Sequence, residues 1–217
     1  MRLTRPRAAL LDWDNTLVDS FPVIHGAINA TLAAMGHEQW TFEQTCAHIA
    51  RSMRDFFPTK FGDRWEEARD VFYASYATRD IDSIQPMAGA AELLDALADA
   101  GIYLAVVSNK GGDILREEVG HLGWEGYFAR VVGANDAAAD KPAPAVIDLA
   151  LDGSGIAPGE DVWFVGDNAI DIDCAESAGC VALVIRGPLV TGNEAALGRA
   201  ARQFENCAAL ASLVREI

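Results

Sequence analysis

Apolar residues recur along this chain in two rhythms. Five short runs, Ala8–Trp13, Ile102–Ser108, Arg130–Gly133, Val162–Val165 and Val181–Ile185, are apolar at most positions and rich in β-branched residues. Such runs read as strands buried on both faces, as in a parallel sheet. From Ala88 onward they alternate with helical spacing. Leu93, Leu94 and Leu97 mark one helix, which ends at Gly101. Ile114, Leu115, Val119 and Leu122 mark a second, and Val146, Ile147, Ala150 and Leu151 a third, with Gly153 and Gly155 just beyond. The alternation predicts an α/β fold whose core is a doubly wound parallel sheet covered by helices.

Residues 18–84 break the alternation. Ile24, Ile28, Thr31 and Met35 share one helical face closed by Gly36. Thr41-x-x-Gln44 and Asp63-x-x-Glu66 have the form of capping boxes that open two further helices. No strand is predicted in this stretch. The pattern predicts an inserted all-helical cap domain, residues 18–84, on a core made of residues 1–17 and 85–217. An insert placed after the first strand stands over the strand ends, where open α/β sheets bind ligands.

Composition narrows the function. A length of 217 residues suits one large domain or a core with a smaller insert, and 51% hydrophobic residues supply a core. A formal charge of −15 disfavours nucleic acid and anionic membrane as partners. The same charge repels anionic substrates at long range, so a phosphate site here needs a local cation or oriented N–H groups. The four cysteines (Cys46, Cys174, Cys180, Cys207) show no C-x-x-C or zinc-type spacing and read as small buried hydrophobes in a reducing compartment. Arg2, Arg5 and Arg7 precede an apolar stretch that breaks at Asp12, too short for a signal peptide. No run approaches the roughly 20 apolar residues of a membrane span, and the expected location is the cytoplasm.

The chemistry gathers where strands should end. Asp12, Asp14 and Thr16 follow the first apolar run; Ser108, Asn109 and Lys110 follow Leu104–Val107. Lys141 lies in Asp140-Lys141-Pro142-Ala143-Pro144 ahead of a helix, and Asp167 and Asp171 follow Val162–Val165 in Gly166-Asp167-Asn168-Ala169-Ile170-Asp171. Two acids as close as Asp12 and Asp14 repel, so a cation, a shared proton or an anion-binding partner must offset them. Each group alone has a plain alternative: Ser108 a helix N-cap, Lys141 a solvated charge, Asp167 a capping residue, Asp171 an exposed helix position. Four groups in this order, each at a strand end, point to one site.

In these four ordered motifs the chain resembles the haloacid dehalogenase-like hydrolase superfamily, over essentially its whole length and including a helical insert after the first motif. Within it, the Asp-x-Asp-x-Thr-Leu-Val-Asp-Ser run, Ser108-Asn109-Lys110 and Gly-Asp-x-x-x-Asp resemble the phosphoglycolate phosphatase-type enzymes. The resemblance implies a phosphatase acting on a small phosphorylated metabolite through an aspartyl-phosphate. Asp12 would be the nucleophile, Asp14 the general acid and then base, and Lys141 the charge offsetting Asp12 and the phosphoryl group. Thr16, Ser108, Asn109 and Lys110 would hold the phosphate. Mg²⁺ would be held by Asp12, the main-chain carbonyl of Asp14, and Asp167, with Asp171 in support. A halide leaves without a proton and an alkoxide does not, so the acid at position 14 favours phosphate esters over carbon–halogen bonds. The family usually has Gly where this chain has Asn15; Asn is the next most tolerant residue at positive φ, so activity is expected to survive.

In the insert, Arg51, Arg54 and Lys60 are candidates for binding the substrate's remaining groups, against the alternative of solvated helix charges, and His25 lies near the junction. Trp40, Trp65, Phe56 and Phe57 read as packing. Three other functions fit the motifs less well. A phosphosugar mutase of the same superfamily would return the phosphate to a bound sugar intermediate. A receiver-type phosphoacceptor domain also uses an Asp cluster, a hydroxyl residue, Lys and Mg²⁺, but its nucleophile is not on the first strand. A binding protein that has lost catalysis would not need the complete motif set.

Overall fold

The computed structural model describes residues 3–48, 53–186 and 194–217. β1 (Ala8–Leu11) lies inside a six-stranded sheet ordered β5-β4-β1-β6-β7-β8, where β4 is Tyr103–Gly111, β5 Arg130–Ala134, β6 Val162–Gly166, β7 Val181–Ile185 and β8 Arg202–Phe204. Every pairing in it is parallel, and Ala8 stands between Tyr103 and Val162. The chain builds outward from β1 to β4 and β5, then crosses back to β6. That reversal is the switch point at which an open α/β sheet forms its ligand crevice.

Alternate strand residues serve opposite faces, which is why the runs are apolar throughout. Ala9, Leu11, Leu104, Val106, Trp163 and Val165 pack on one side with α5 (Ala90–Asp99), α6 (Gly112–His121) and α10 (Cys207–Glu216). Ala8, Leu10, Ala105, Val107, Val162 and Phe164 pack on the other with α7 (Ala145–Leu151) and α8 (Ala169–Ser177). Leu10 and Leu11 are wholly buried, each contributing about 1.5–3 kcal/mol. Gly101 ends α5 as predicted, at φ 68°, a conformation that costs a glycine little.

The insert is helical: α1 (Phe21–Ala34), α2 (Phe42–His48), α3 (Met53–Phe61) and α4 (Trp65–Ala77). α1, α3 and α4 share their own core, including Ile24, Ile28, Leu32, Phe57, Phe72 and Tyr76, against which Trp40, Phe56 and Trp65 pack.

Several expectations need correction. The linkers to the insert are not strand-free: β2 (Val18–Asp19) pairs antiparallel with β3 (Gln85–Pro86), a ribbon of two residues a side that carries no periodicity to read. The edge strand β8 is a sixth strand the pattern did not predict, because three residues show no alternation. The first strand stops at Leu11, before Asp12 and Trp13. Thr41 and Gln44 do form a capping box, each side chain receiving the other's backbone N–H. Asp63 and Glu66 do not, since Asp63 falls in a 3₁₀ turn (Gly62–Arg64) and α4 starts at Trp65. α9 (Glu194–Leu197) is a single turn.

Candidate active site

The carboxyl ends of β1, β4 and β6 bring three of the motif groups to one cavity of about 110 Å³, and the fourth, Lys141, reaches it from the segment between β5 and α7 rather than from a strand end. Asp12, Asp14, Ser108, Asn109, Lys110, Lys141, Asp167 and Asp171 all line it, and the insert closes it with Phe21, Ile24, Phe72, Tyr73 and Tyr76. At its base the Lys141 ammonium lies between two carboxylates, 2.6 Å from Asp12 Oδ1 and 2.7 Å from Asp171 Oδ1. The Asn109 side chain fixes the Lys141 backbone on both sides: Oδ1 accepts the Lys141 N–H at 3.0 Å and Nδ2 donates to its carbonyl at 3.3 Å. Asp12 itself is held by its N–H, which donates to the Val165 carbonyl at 2.8 Å.

Asp12, Asp167 and Asp171 each offer an oxygen within 4.8 Å of the others. Asp171 is not an exposed helix residue: it is 2% accessible, and its Oδ2 receives the N–H groups of Asp167 and Asn168 at 3.2 and 3.0 Å. That contact explains Gly166, where a Cβ would stand 2.3 Å from the Asp171 carboxyl carbon. Asn15 has φ 60°, the left-handed region expected of it, and its amide donates to Asp167 Oδ2 at 2.5 Å.

Burial raises Asp12 to about 7, with Lys141 pulling down and Asp171 pushing up. Burial, then Asp171 and Asp12, raise Asp167 well above the ordinary carboxylate range. For Lys141 burial works downward, but Asp12 and Asp171 outweigh it and the net shift is up. Three carboxylates thus share one ammonium, an excess of negative charge that a divalent cation would offset. The donors in the cluster are all carboxylate oxygens, the set that suits a hard cation.

Asp14 does not join that cluster with its side chain. Its Oδ1 lies 2.6 Å from Lys110 Nζ and accepts the Ser20 hydroxyl. Lys110 is buried rather than solvated; burial lowers its proton affinity, Asp14, Tyr76 and Glu118 together raise it by more, and the net shift is upward. Ser108 accepts the Lys110 N–H at 3.2 Å. Thr16 is wholly buried behind Asp12, its hydroxyl 3.4 Å from Asp12 Oδ2, and is not part of the cavity wall.

The insert's candidates lie elsewhere. Arg54 grips the buried Asp140 of the core, Nε to Oδ2 at 3.0 Å and Nη2 to Oδ1 at 2.7 Å. Lys60 stands over the Trp40 ring at 5.1 Å. His25 meets Thr45 Oγ1 at 2.7 Å and Asn29 Nδ2 at 3.3 Å inside the helical layer. Arg51 lies outside the described residues.

The haloacid dehalogenase-like hydrolase family profile matches residues 9–185. The chain belongs to this family. It is 31% identical over 174 residues to a phosphoglycolate phosphatase of Aquifex aeolicus, covering 80% of this chain and 81% of that protein. It is 32% identical over 183 residues to a phosphoglycolate phosphatase of Xylella fastidiosa, covering 82% and 80%. A haloacid dehalogenase-superfamily hydrolase of Ehrlichia chaffeensis superposes with TM-score 0.69 at 28% identity, over 99% of this chain and 98% of that one. CbbY of Rhodobacter sphaeroides, solved with phosphate, superposes with TM-score 0.80 at 21% identity, over 94% and 96%. As a family member with these relatives the chain is a phosphoric monoester hydrolase, not a receiver domain. Among the described residues no helix is long and apolar enough to cross a membrane.

Sequence reasoning missed one group at the site. Glu118, wholly buried, receives the Lys110 ammonium, the Trp13 indole N–H and the Tyr76 hydroxyl. A signal was present: Glu118 falls four residues after Ile114 and one before Val119, on the buried face of α6.

Proposed function

We propose that this chain hydrolyses a small phosphomonoester with Mg²⁺, in two steps through a phosphate carried on Asp12. Phosphoglycolate, named in its relatives, is the first substrate to test. The observation that carries the reading is the buried Lys141 ammonium held between Asp12 and Asp171, opening on a cavity that Asp14 also lines. Asp12, Asp167 and the main chain at Asp14, with Asp171 in support, would hold Mg²⁺, which would supply charge neutralisation between carboxylate and phosphate.

In the first step an Asp12 oxygen attacks phosphorus, the bond to the ester oxygen breaks, and Asp14 gives that oxygen its proton. In the second Asp14 takes a proton from water, whose oxygen attacks phosphorus and frees the Asp12 carboxylate. Lys141 keeps Asp12 in place and offsets phosphoryl charge, while Ser108 and the Asn109 N–H donate to the phosphoryl oxygens. Lys110 steadies Asp14, and Thr16 backs Asp12 from behind. Residues 18–84 act as a cap whose aromatic wall excludes water during the reaction. The protein works in the cytoplasm, which its four buried, unpaired thiols suit, and its acidity keeps it from nucleic acid and anionic membranes.

The test is Mg²⁺-dependent phosphate release from a panel of phosphomonoesters including 2-phosphoglycolate, for wild type and Asp12→Asn, with EDTA controls. Wild type is expected to turn over and Asp12→Asn to lose at least about 10³-fold in kcat. Release undiminished in Asp12→Asn, or none from wild type with any ester, would refute the reading.

A further inference from the structure

We propose that Glu118 is a positioning residue for this reaction, holding the Lys110 ammonium against Asp14 and pinning the segment between the two catalytic acids. The inference rests on the phosphomonoesterase reading above and concerns a residue outside the four motifs.

α6 buries Leu115 and Val119 against the sheet, and an apolar residue at 118 would continue that face. A carboxylate there is costly unless its oxygens are fully used. They are. Glu118 Oε2 receives the Trp13 indole N–H at 2.8 Å and the Lys110 ammonium at 2.6 Å; Oε1 receives the Tyr76 hydroxyl at 2.7 Å, with Arg79 Nε at 3.8 Å. None of these partners belongs to α6. Trp13 sits between Asp12 and Asp14 in the chain, Lys110 ends the motif on β4, and Tyr76 belongs to the cavity wall. Glu118 therefore ties parts of the site to one another rather than serving its own helix.

Its action on Asp14 passes through Lys110. That ammonium stands 2.6 Å from both Asp14 Oδ1 and Glu118 Oε2, on a flexible four-carbon stem. Two carboxylates fix it in one place; with Glu118 neutral, the ammonium is free to turn into the cavity towards the phosphoryl group. Asp14 then loses its ammonium partner and keeps only the Ser20 hydroxyl, while the phosphate keeps Ser108, Asn109 and Lys141. The consequence is a fall in kcat with little change in KM.

The test is a double-mutant cycle on the 217-residue protein with Mg²⁺: wild type, Glu118→Gln, Lys110→Met and the pair, assayed over a range of ester concentrations up to saturation, with thermal melts on all four. Glu118→Gln keeps the shape of the side chain and removes its charge. The expected result is a kcat lowered about 30-fold with KM within about threefold, and a double variant within about twofold of Lys110→Met alone. A purely structural role would make the two losses multiply. Near-wild-type kcat in Glu118→Gln, or multiplying losses, overturns the proposal. Should Glu118→Gln melt below assay temperature, Glu118→Asp, which keeps the charge but draws it back from Lys110 by one methylene, takes its place in the cycle, read by the same criterion. A wild type that releases no phosphate overturns the phosphomonoesterase reading and this inference together; an active wild type with multiplying losses overturns this inference alone.

Discussion

Replacing Lys141 by methionine keeps much of the side chain's volume and removes its charge. In the native protein that ammonium is buried between Asp12 and Asp171 at 2.6 and 2.7 Å. Without it both carboxyls stay buried, and their cheapest response is to take up a proton. Burial already raises Asp12 to about 7 in wild type, so the variant's deficit is that of one further proton on the pair. Holding a proton on a carboxyl whose unfolded pKa is near 3.9 costs about 4 kcal/mol at pH 7 and about 1.5 kcal/mol at pH 5. The first figure agrees with the about 3–5 kcal/mol lost when a buried ion pair is deprived of one partner. The sign follows from linkage: a carboxyl raised in the folded state is harmless below its unfolded pKa and costs stability as pH rises towards the folded one. The deficit of Lys141→Met must therefore grow between pH 5 and pH 7. Urea unfolding of wild type and variant in EDTA at both pH values measures it. A total stability in the usual range of about 5–15 kcal/mol leaves the variant enough structure to unfold cooperatively. A loss below about 1 kcal/mol at pH 7, or equal losses at the two pH values, would refute the assignment of Lys141 as the counter-charge of this cluster.

Three further outcomes are expected. Gly166→Ala places a methyl 2.3 Å from the Asp171 carboxyl carbon and should cost about 1–3 kcal/mol and most of the turnover; unchanged melting and kinetics would mean that Asp171 moves aside freely. Asn15→Gly keeps the positive φ and gives up only the bond to Asp167, so kcat should stay within about tenfold, whereas Asn15→Val should lose about 1–2 kcal/mol of stability; a glycine variant without turnover would overturn this account. Asp12, raised to about 7 by burial, stabilises the metal-free protein below 3.8 and loses that contribution as pH rises through about 7. Mg²⁺ competes with that proton, so the rise in melting temperature on adding Mg²⁺ should be larger at pH 8 than at pH 5, and equal rises would refute the site.

Much of the core was legible because its signals are local. Val181–Ile185 has the bounds of the observed strand, and the turn at Gly101 and the capping box at Thr41 are chemistry between near neighbours. Asn15 read correctly for the same reason, since φ belongs to one residue. What failed had either too few residues or distant partners. The ribbon at Val18–Asp19 and the strand at Arg202–Phe204 are too short for a period. The capping box at Asp63 obeyed the local rule but lost to the 3₁₀ turn before α4. Arg54 had the look of a free cation on an exposed helix, and its pairing with Asp140 spans 86 positions of chain.

By itself the sequence determined which residues could do chemistry and the order in which they arrive at strand ends, because strand periodicity and motif spacing are written in neighbouring positions. Only the tertiary structure decided their electrostatics. That Lys141 sits between Asp12 and Asp171, that Lys110 is shared by Asp14 and Glu118, and that Thr16 stands behind the cavity wall all depend on distances between segments far apart in the chain. Burial and charge pairing are properties of the assembled site.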